Sequence, residues 1–214
     1  SPISKDCSYV VSLDPSMGTG GDNAAIQVFE LPTLKQVAEW QHNRTPVEGQ
    51  IRILRQICKD IYANGQPEIY WSVENNSLGE AALVVIRDTG EENIPGTMLH
   101  DPANRQGGKR KGFTTTNKTK MEACSRLKSM IESGKLSIFS KSLISELKVF
   151  VALGNTFQAR SGMTDDLVSA TLLFCRMSEY IASWDDTTWG VMNTGVADGE
   201  RIDDYEQPMP LSVF

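Results

Sequence analysis

The hydropathy pattern opens with a short apolar run, Tyr9-Val10-Val11-Ser12-Leu13, which stops at Asp14 and runs into Pro15-Ser16-Met17-Gly18-Thr19-Gly20-Gly21. That pattern predicts a buried strand entering a glycine-rich turn. Ala24 to Phe29 and Val37 to Trp40 predict two more strands, turned by Leu31-Pro32-Thr33, so the first three form an antiparallel meander. Ile51, Leu54, Ile57, Cys58 and Ile61 then recur at helical spacing until Asn64-Gly65. Ile69-Tyr70-Trp71-Ser72-Val73 is again strand-like and ends at Glu74. Ala81 to Ile86 predicts a helix that breaks at Thr89-Gly90, and Met98-Leu99 a short strand. A Gly/Lys-rich loop follows over 101–116. Lys118 to Ile131 predicts a helix, Leu136 to Phe139 a strand, and Leu143, Ile144, Leu147 and Phe150 another helix. A long apolar helix, Leu167 to Ile181, opens at Asp165-Asp166; beyond Trp184 the pattern dissolves into Asp, Gly, Thr and Pro. A meander followed by alternating α and β gives an α/β fold, a mixed sheet with helices on both faces.

Composition narrows the class. The 214 residues are 40% hydrophobic, enough to fill one core and to exclude wholesale disorder. We read 1–183 as one folded domain and 184–214 as an acidic tail that is either disordered or in contact with a partner. No run reaches the roughly 18–20 apolar residues of a membrane span, and Ser1-Pro2-Ile3 lacks signal-peptide character. From a start at Ser1 without Met, the expectation is that part of the protein is missing. Cys7, Cys58, Cys124 and Cys175 form no C-x-x-C pair, and His42 and His100 lie far apart. The expectation is buried thiols in a reducing compartment, with neither a zinc site nor a disulfide scaffold.

The net charge of −6 argues at first against a polyanionic partner. Its distribution reverses that inference. From Arg105 to Lys128 eight bases stand against one acid, Glu122, a local +7 that leaves −13 for the remainder. Charges act over about 8–10 Å at physiological salt, so a basic window can hold phosphate on an acidic chain.

The acids of interest fall at element ends. Asp14 ends the first strand, Glu74 ends a strand 60 residues later, and Asp165-Asp166 opens the last long helix. If the two strands are parallel neighbours, Asp14 and Glu74 emerge together at the carboxyl edge, where α/β sheets place their sites. Clustered carboxylates repel one another unless a cation sits among them, and hard oxygen donors favour Mg²⁺ or Mn²⁺. A pair of such ions would activate a water against a phosphodiester. The aspartates also have a plain structural reading: a helix cap for Asp165-Asp166 and an Asx turn for Asp14. Glu74, next to Asn75-Asn76, has no evident local role.

Three motifs carry a family resemblance. Leu13-Asp14-Pro15-Ser16-x-Gly18-x-Gly20-Gly21-Asp22, Val73-Glu74-Asn75-Asn76-x-x-Gly79 and Asp165-Asp166-Leu167-Val168-x-Ala170 resemble the nuclease domain of the large terminase subunit of tailed bacteriophages. Gly112-Phe113-Thr114-Thr115-Thr116, Lys118-Thr119-Lys120 and Gly134-Lys135-Leu136 add to the likeness, which is greatest for the T-even-like branch and spans about 8–183. The resemblance implies a ribonuclease H-like fold and metal-dependent, largely nonspecific cleavage of double-stranded DNA during genome packaging. It implies Asp14, Glu74 and Asp166 as catalytic metal ligands, with Asp165 assisting or binding a second Mg²⁺ or Mn²⁺. It further implies a portal ring and a small terminase subunit as partners, in the host cell cytoplasm. No Gly-x-x-x-x-Gly-Lys-Ser/Thr is present, since Arg110 follows Gly108-Lys109 and Leu136 follows Gly134-Lys135. The chain is therefore expected to be the nuclease portion without the family's ATPase domain.

Lys109, Arg110, Lys111, Lys118 and Lys120 are the expected phosphate contacts, which position DNA without reading its sequence. Other readings of the same residues are a kinase-like ATPase, a resolvase or transposase of the same superfamily, and a non-catalytic DNA- or portal-docking module. The chain is short for the first, and substrate preference and carboxylate substitutions separate the others.

Overall fold

The computed structural model describes residues 3–76, 79–102, 111–154 and 156–193. Among them the predicted meander is present as β1 (Ser8–Asp14), β2 (Ala24–Leu31) and β3 (Lys35–His42), each antiparallel to the next. Helix α1 (Val47–Ala63) then crosses over to β4 (Glu68–Val73), which lies parallel to β1. Helix α2 (Gly79–Thr89) leads to the two-residue β5 (Thr97–Met98), parallel to β4. The sheet order is therefore β3-β2-β1-β4-β5.

Strands β1 and β2 are buried along almost their whole length, because helices cover both faces of the sheet. Strand alternation sorts their side chains. Tyr9, Val11 and Leu13 join Ile69, Trp71 and Val73 in a core under α1 and α2. Val10, Ala25 and Phe29 face the other way, into a core closed by α3 (Asn117–Glu132), α4 (Lys141–Val149) and α5 (Asp166–Ala182). On that side Phe29 stacks on Phe174 with ring centroids 4.0 Å apart, and Ser12 Oγ donates to the Ala170 carbonyl at 2.7 Å. Helix α5 is wrapped by protein for most of its length, which explains its long apolar run. No described helix is long and apolar enough to cross a membrane.

The structure departs from the hydropathy pattern in three places. Leu136 to Phe139 does not form a strand; it makes one parallel bridge, Lys35 with Ser137. The Gln36 side-chain carbonyl accepts the Phe139 and Ser140 amides, both at 2.9 Å, so those donors are lost to any ladder. Phe150 begins a strand instead of ending a helix, in a hairpin of β6 (Phe150–Leu153) and β7 (Thr156–Ala159). Its four-residue strands are too short for a period-2 signal to stand out. Finally, α6 (Asp186–Asn193) lies within the stretch read as tail. Its carboxyl end is tied down by Lys135 Nζ, which donates to the Met192 carbonyl at 2.8 Å.

Candidate functional site

Pairing of β1 with β4 sets Leu13 opposite Val73, and the Glu74 amide donates to the Leu13 carbonyl at 2.9 Å. Asp14 and Glu74 thus leave the carboxyl edge side by side. They share the parity of Ser12 and Ser72, which places both on the α5 face. Glu74 is braced on its other side by a parallel bridge to Phe113, whose amide donates to the Val73 carbonyl at 3.1 Å. The first residue of α2 passes close behind: a Cβ on Gly79 would lie 2.0 Å from the Glu74 carbonyl oxygen. Only glycine allows that approach.

The third acid arrives on α5. Asp166 is that helix's first residue, and its Oδ2 accepts from Asn23 Nδ2 at 2.7 Å and from the Asn23 amide at 3.3 Å. Asp165, in the cap position, makes no cap hydrogen bond; its Oδ2 accepts the Ala159 amide at 3.1 Å. The capping bonds go instead to Glu146 of α4, whose Oε2 accepts the Leu167 amide at 2.8 Å and the Val168 amide at 3.1 Å. The plain structural reading of Asp165-Asp166 as a helix cap therefore does not describe these side chains.

Asp14, Glu74, Asp165 and Asp166 line one cleft of about 370 Å³, together with Asp22, Lys120 and Arg176. Among the described residues none of the five carboxylates forms an ion pair. Loss of water, then the charge and contact of Glu74 and the charges of Asp166 and Asp165, hold the Asp14 carboxyl well above the usual carboxylate range. Burial also raises Asp166, helped by Asp165 and Asp22 and opposed by the two Asn23 hydrogen bonds. As they stand, no three His, Cys, Asp or Glu among the described residues close into a ready cation cage. The donor set nonetheless suits a hard divalent cation: acidic oxygens from three chain segments, already repelling one another, with no imidazole or thiolate among the cleft residues named.

The expected phosphate contacts separate. Lys120 lines the cleft, its Nζ 5.6 Å from the Phe150 ring centroid. Lys111 pairs with Glu91 at 2.5 Å, and Lys118 lies 3.9 Å from Glu122 on the exposed face of α3. Lys109 and Arg110 lie outside the described residues. Sequence reasoning gave no role to Asn23, Arg176 or Glu146. Arg176 Nη2 donates to Asp101 at 2.6 Å and Nη1 to the Thr114 carbonyl at 3.1 Å, fastening α5 to the segment that braces Glu74. Its signal was legible, a base inside an apolar helix that must find a partner when buried. Asn23 bonds a residue 143 positions away, which no local spacing encodes.

The strand order, the helix crossing β1 and β2, and the acids at the edge of two adjacent parallel strands define an α/β protein of ribonuclease H-like fold. More narrowly, the chain belongs to the terminase RNase H-like domain family, whose model matches residues 11–177. Its fold is similar to that of the large terminase nuclease from thermophilic phage G20c with bound magnesium. The TM-score is 0.61 at 18% identity, over 79% of this chain and 81% of that one. It is also similar to the large terminase nuclease domain of Thermus phage P74-26, with a TM-score of 0.57 at 18% identity over 78% of each chain.

Proposed function

We propose that this chain is a divalent-metal-dependent endonuclease that cuts double-stranded DNA with little sequence preference while a concatemeric phage genome is packaged. The observation that carries the reading is the convergence of Asp14, Glu74 and Asp166, from three distant segments, in one cleft, with none of the three in an ion pair among the described residues. Family membership and the magnesium-bound nuclease of similar fold support it. In this reading Asp14, Glu74 and Asp166 hold Mg²⁺ or Mn²⁺, and Asp165 assists at a second ion. Bound there, divalent ions would lower the pKa of a water so that hydroxide, the attacking nucleophile, forms near neutral pH, and would stabilise charge on the leaving oxygen. The protein's own part is to gather and orient the carboxylates, through the β1–β4 register and through Asn23. Lys120 offers an ammonium to a phosphate entering the cleft, with Lys111, Lys118, Lys109 and Arg110 extending the DNA path. The portal ring and small terminase subunit are the expected partners, in the host cell cytoplasm.

The test is plasmid cleavage with Mg²⁺ or Mn²⁺, with EDTA, and with Asp14→Asn. Cutting should need the metal and fall by about 100-fold or more in the variant, a loss of about 2.7 kcal/mol of transition-state stabilisation. Cutting by Asp14→Asn at the wild-type rate would remove Asp14 from the chemistry. Linear duplex and four-way junctions should be cut alike, whereas a resolvase would favour the junction.

A further inference from the structure

Helix α4 is short and exposes most of its residues, yet it buries Glu146, which is 7% exposed. A carboxylate in that position is costly unless its oxygens are fully engaged. Three of its four hydrogen bonds come from the start of α5 and from Thr164 shortly before it, and the fourth from β3. Oε2 takes the Leu167 and Val168 amides; Oε1 takes Thr164 Oγ1 at 3.3 Å and Gln41 Nε2, from β3, at 2.9 Å. The first amides of a helix have no partner within it and normally turn to the residue just before. Here that residue, Asp165, is bonded to Ala159, and Asp166 is bonded to Asn23. A charged cap has been brought in from another helix, and the two local carboxylates are left facing the cleft.

Resting on the metal-site reading above, we infer that Glu146 is a positioning residue for that site. By holding the two amides that directly follow Asp166, and by anchoring to β3 through Gln41, it fixes where the Asp166 carboxylate stands relative to Asp14 and Glu74. The remaining α4 contacts with this core are apolar, through Leu143 and Leu147, and set no direction for the first turn of α5. Glu146 makes a directional link from β3 to that turn, beside the one that Asn23, just before β2, makes to Asp166.

The test uses the full chain and Mn²⁺ alone as probe, with binding followed by the paramagnetic signal of free Mn²⁺. Backbone amide exchange at Leu167 and Val168 reports on the cap itself. Glu146→Ala should weaken Mn²⁺ binding about tenfold or more, the usual effect of losing an outer-shell support, and should speed exchange at both amides. Glu146→Gln keeps an oxygen for both amides and should return Mn²⁺ affinity to within about threefold of wild type. If Glu146→Ala fails to fold, Gln41→Ala gives the answer through a smaller weakening in the same direction. Unchanged Mn²⁺ affinity in the folded variant, with amide protection lost, would overturn the inference and leave the metal site standing. A wild-type chain that binds no Mn²⁺ would overturn both.

Discussion

Asn23 sets how Asp166 faces the cleft. Two of its donors reach one carboxylate oxygen, which leaves the other for a cation and opposes the rise in the Asp166 proton affinity. Asn23→Ala should therefore raise the Mn²⁺ concentration for half-maximal cleavage by about 10-fold or more; an unshifted metal titration would deny Asn23 that part. Asp14 and Glu74 could be singled out in the sequence because each ends an apolar run, and a lone acid where a buried strand stops is rare without a reason. Asn23 and Glu146 could not, because the bonds that give them meaning span 143 and 21 residues. The family resemblance chose Asp166 over Asp165, while local spacing gave no sign that Ala159 claims the one and Asn23 the other.

At the scale of elements, most of the fold was legible. Apolar runs bounded by turn residues marked β1, β2, β3 and β4, and helical spacing marked α1, α3 and α5. Leu136–Phe139 and the β6–β7 hairpin were not, because side-chain capping and four-residue strands leave no periodic trace. The cap between α4 and α5 carries a pH signature. Burial, with the charge of Asp166 beside it, pushes the Glu146 carboxyl above its ordinary value, only partly offset by the hydrogen bonds from Val168, Gln41 and Leu167. The folded chain thus holds this proton more tightly than the unfolded one. Its contribution to stability is greatest in acid and declines as pH rises from the ordinary carboxylate value through the raised one. Glu146→Gln cannot ionise and escapes the decline. Its melting temperature should gain on wild type as pH rises above the ordinary glutamate value of about 4.3; melting temperatures that change in parallel with pH would contradict this.

For the whole molecule, a net charge of −6 conceals two regions of opposite sign. The acidic cleft and the basic window meet at α3, where Lys120 lies at the cleft; Lys118 on the same helix, and Lys111 before it, already have acidic neighbours. Lys120→Ala should weaken DNA binding equally across sequences and flatten the slope of log affinity against log salt by about 0.9, one phosphate contact. Lys118→Ala should change that slope less. A slope unaltered by Lys120→Ala would move the DNA path elsewhere. The proposed joint hold of Asp14, Glu74 and Asp166 on divalent metal at the edge of the sheet is tested by anomalous diffraction from crystals of the chain soaked in Mn²⁺. Anomalous peaks are expected in the cleft, bonded to carboxylate oxygens of those three residues, and are expected to be lost in Asp14→Asn. A cleft without Mn²⁺ density, or density bonded to none of the three, would contradict it.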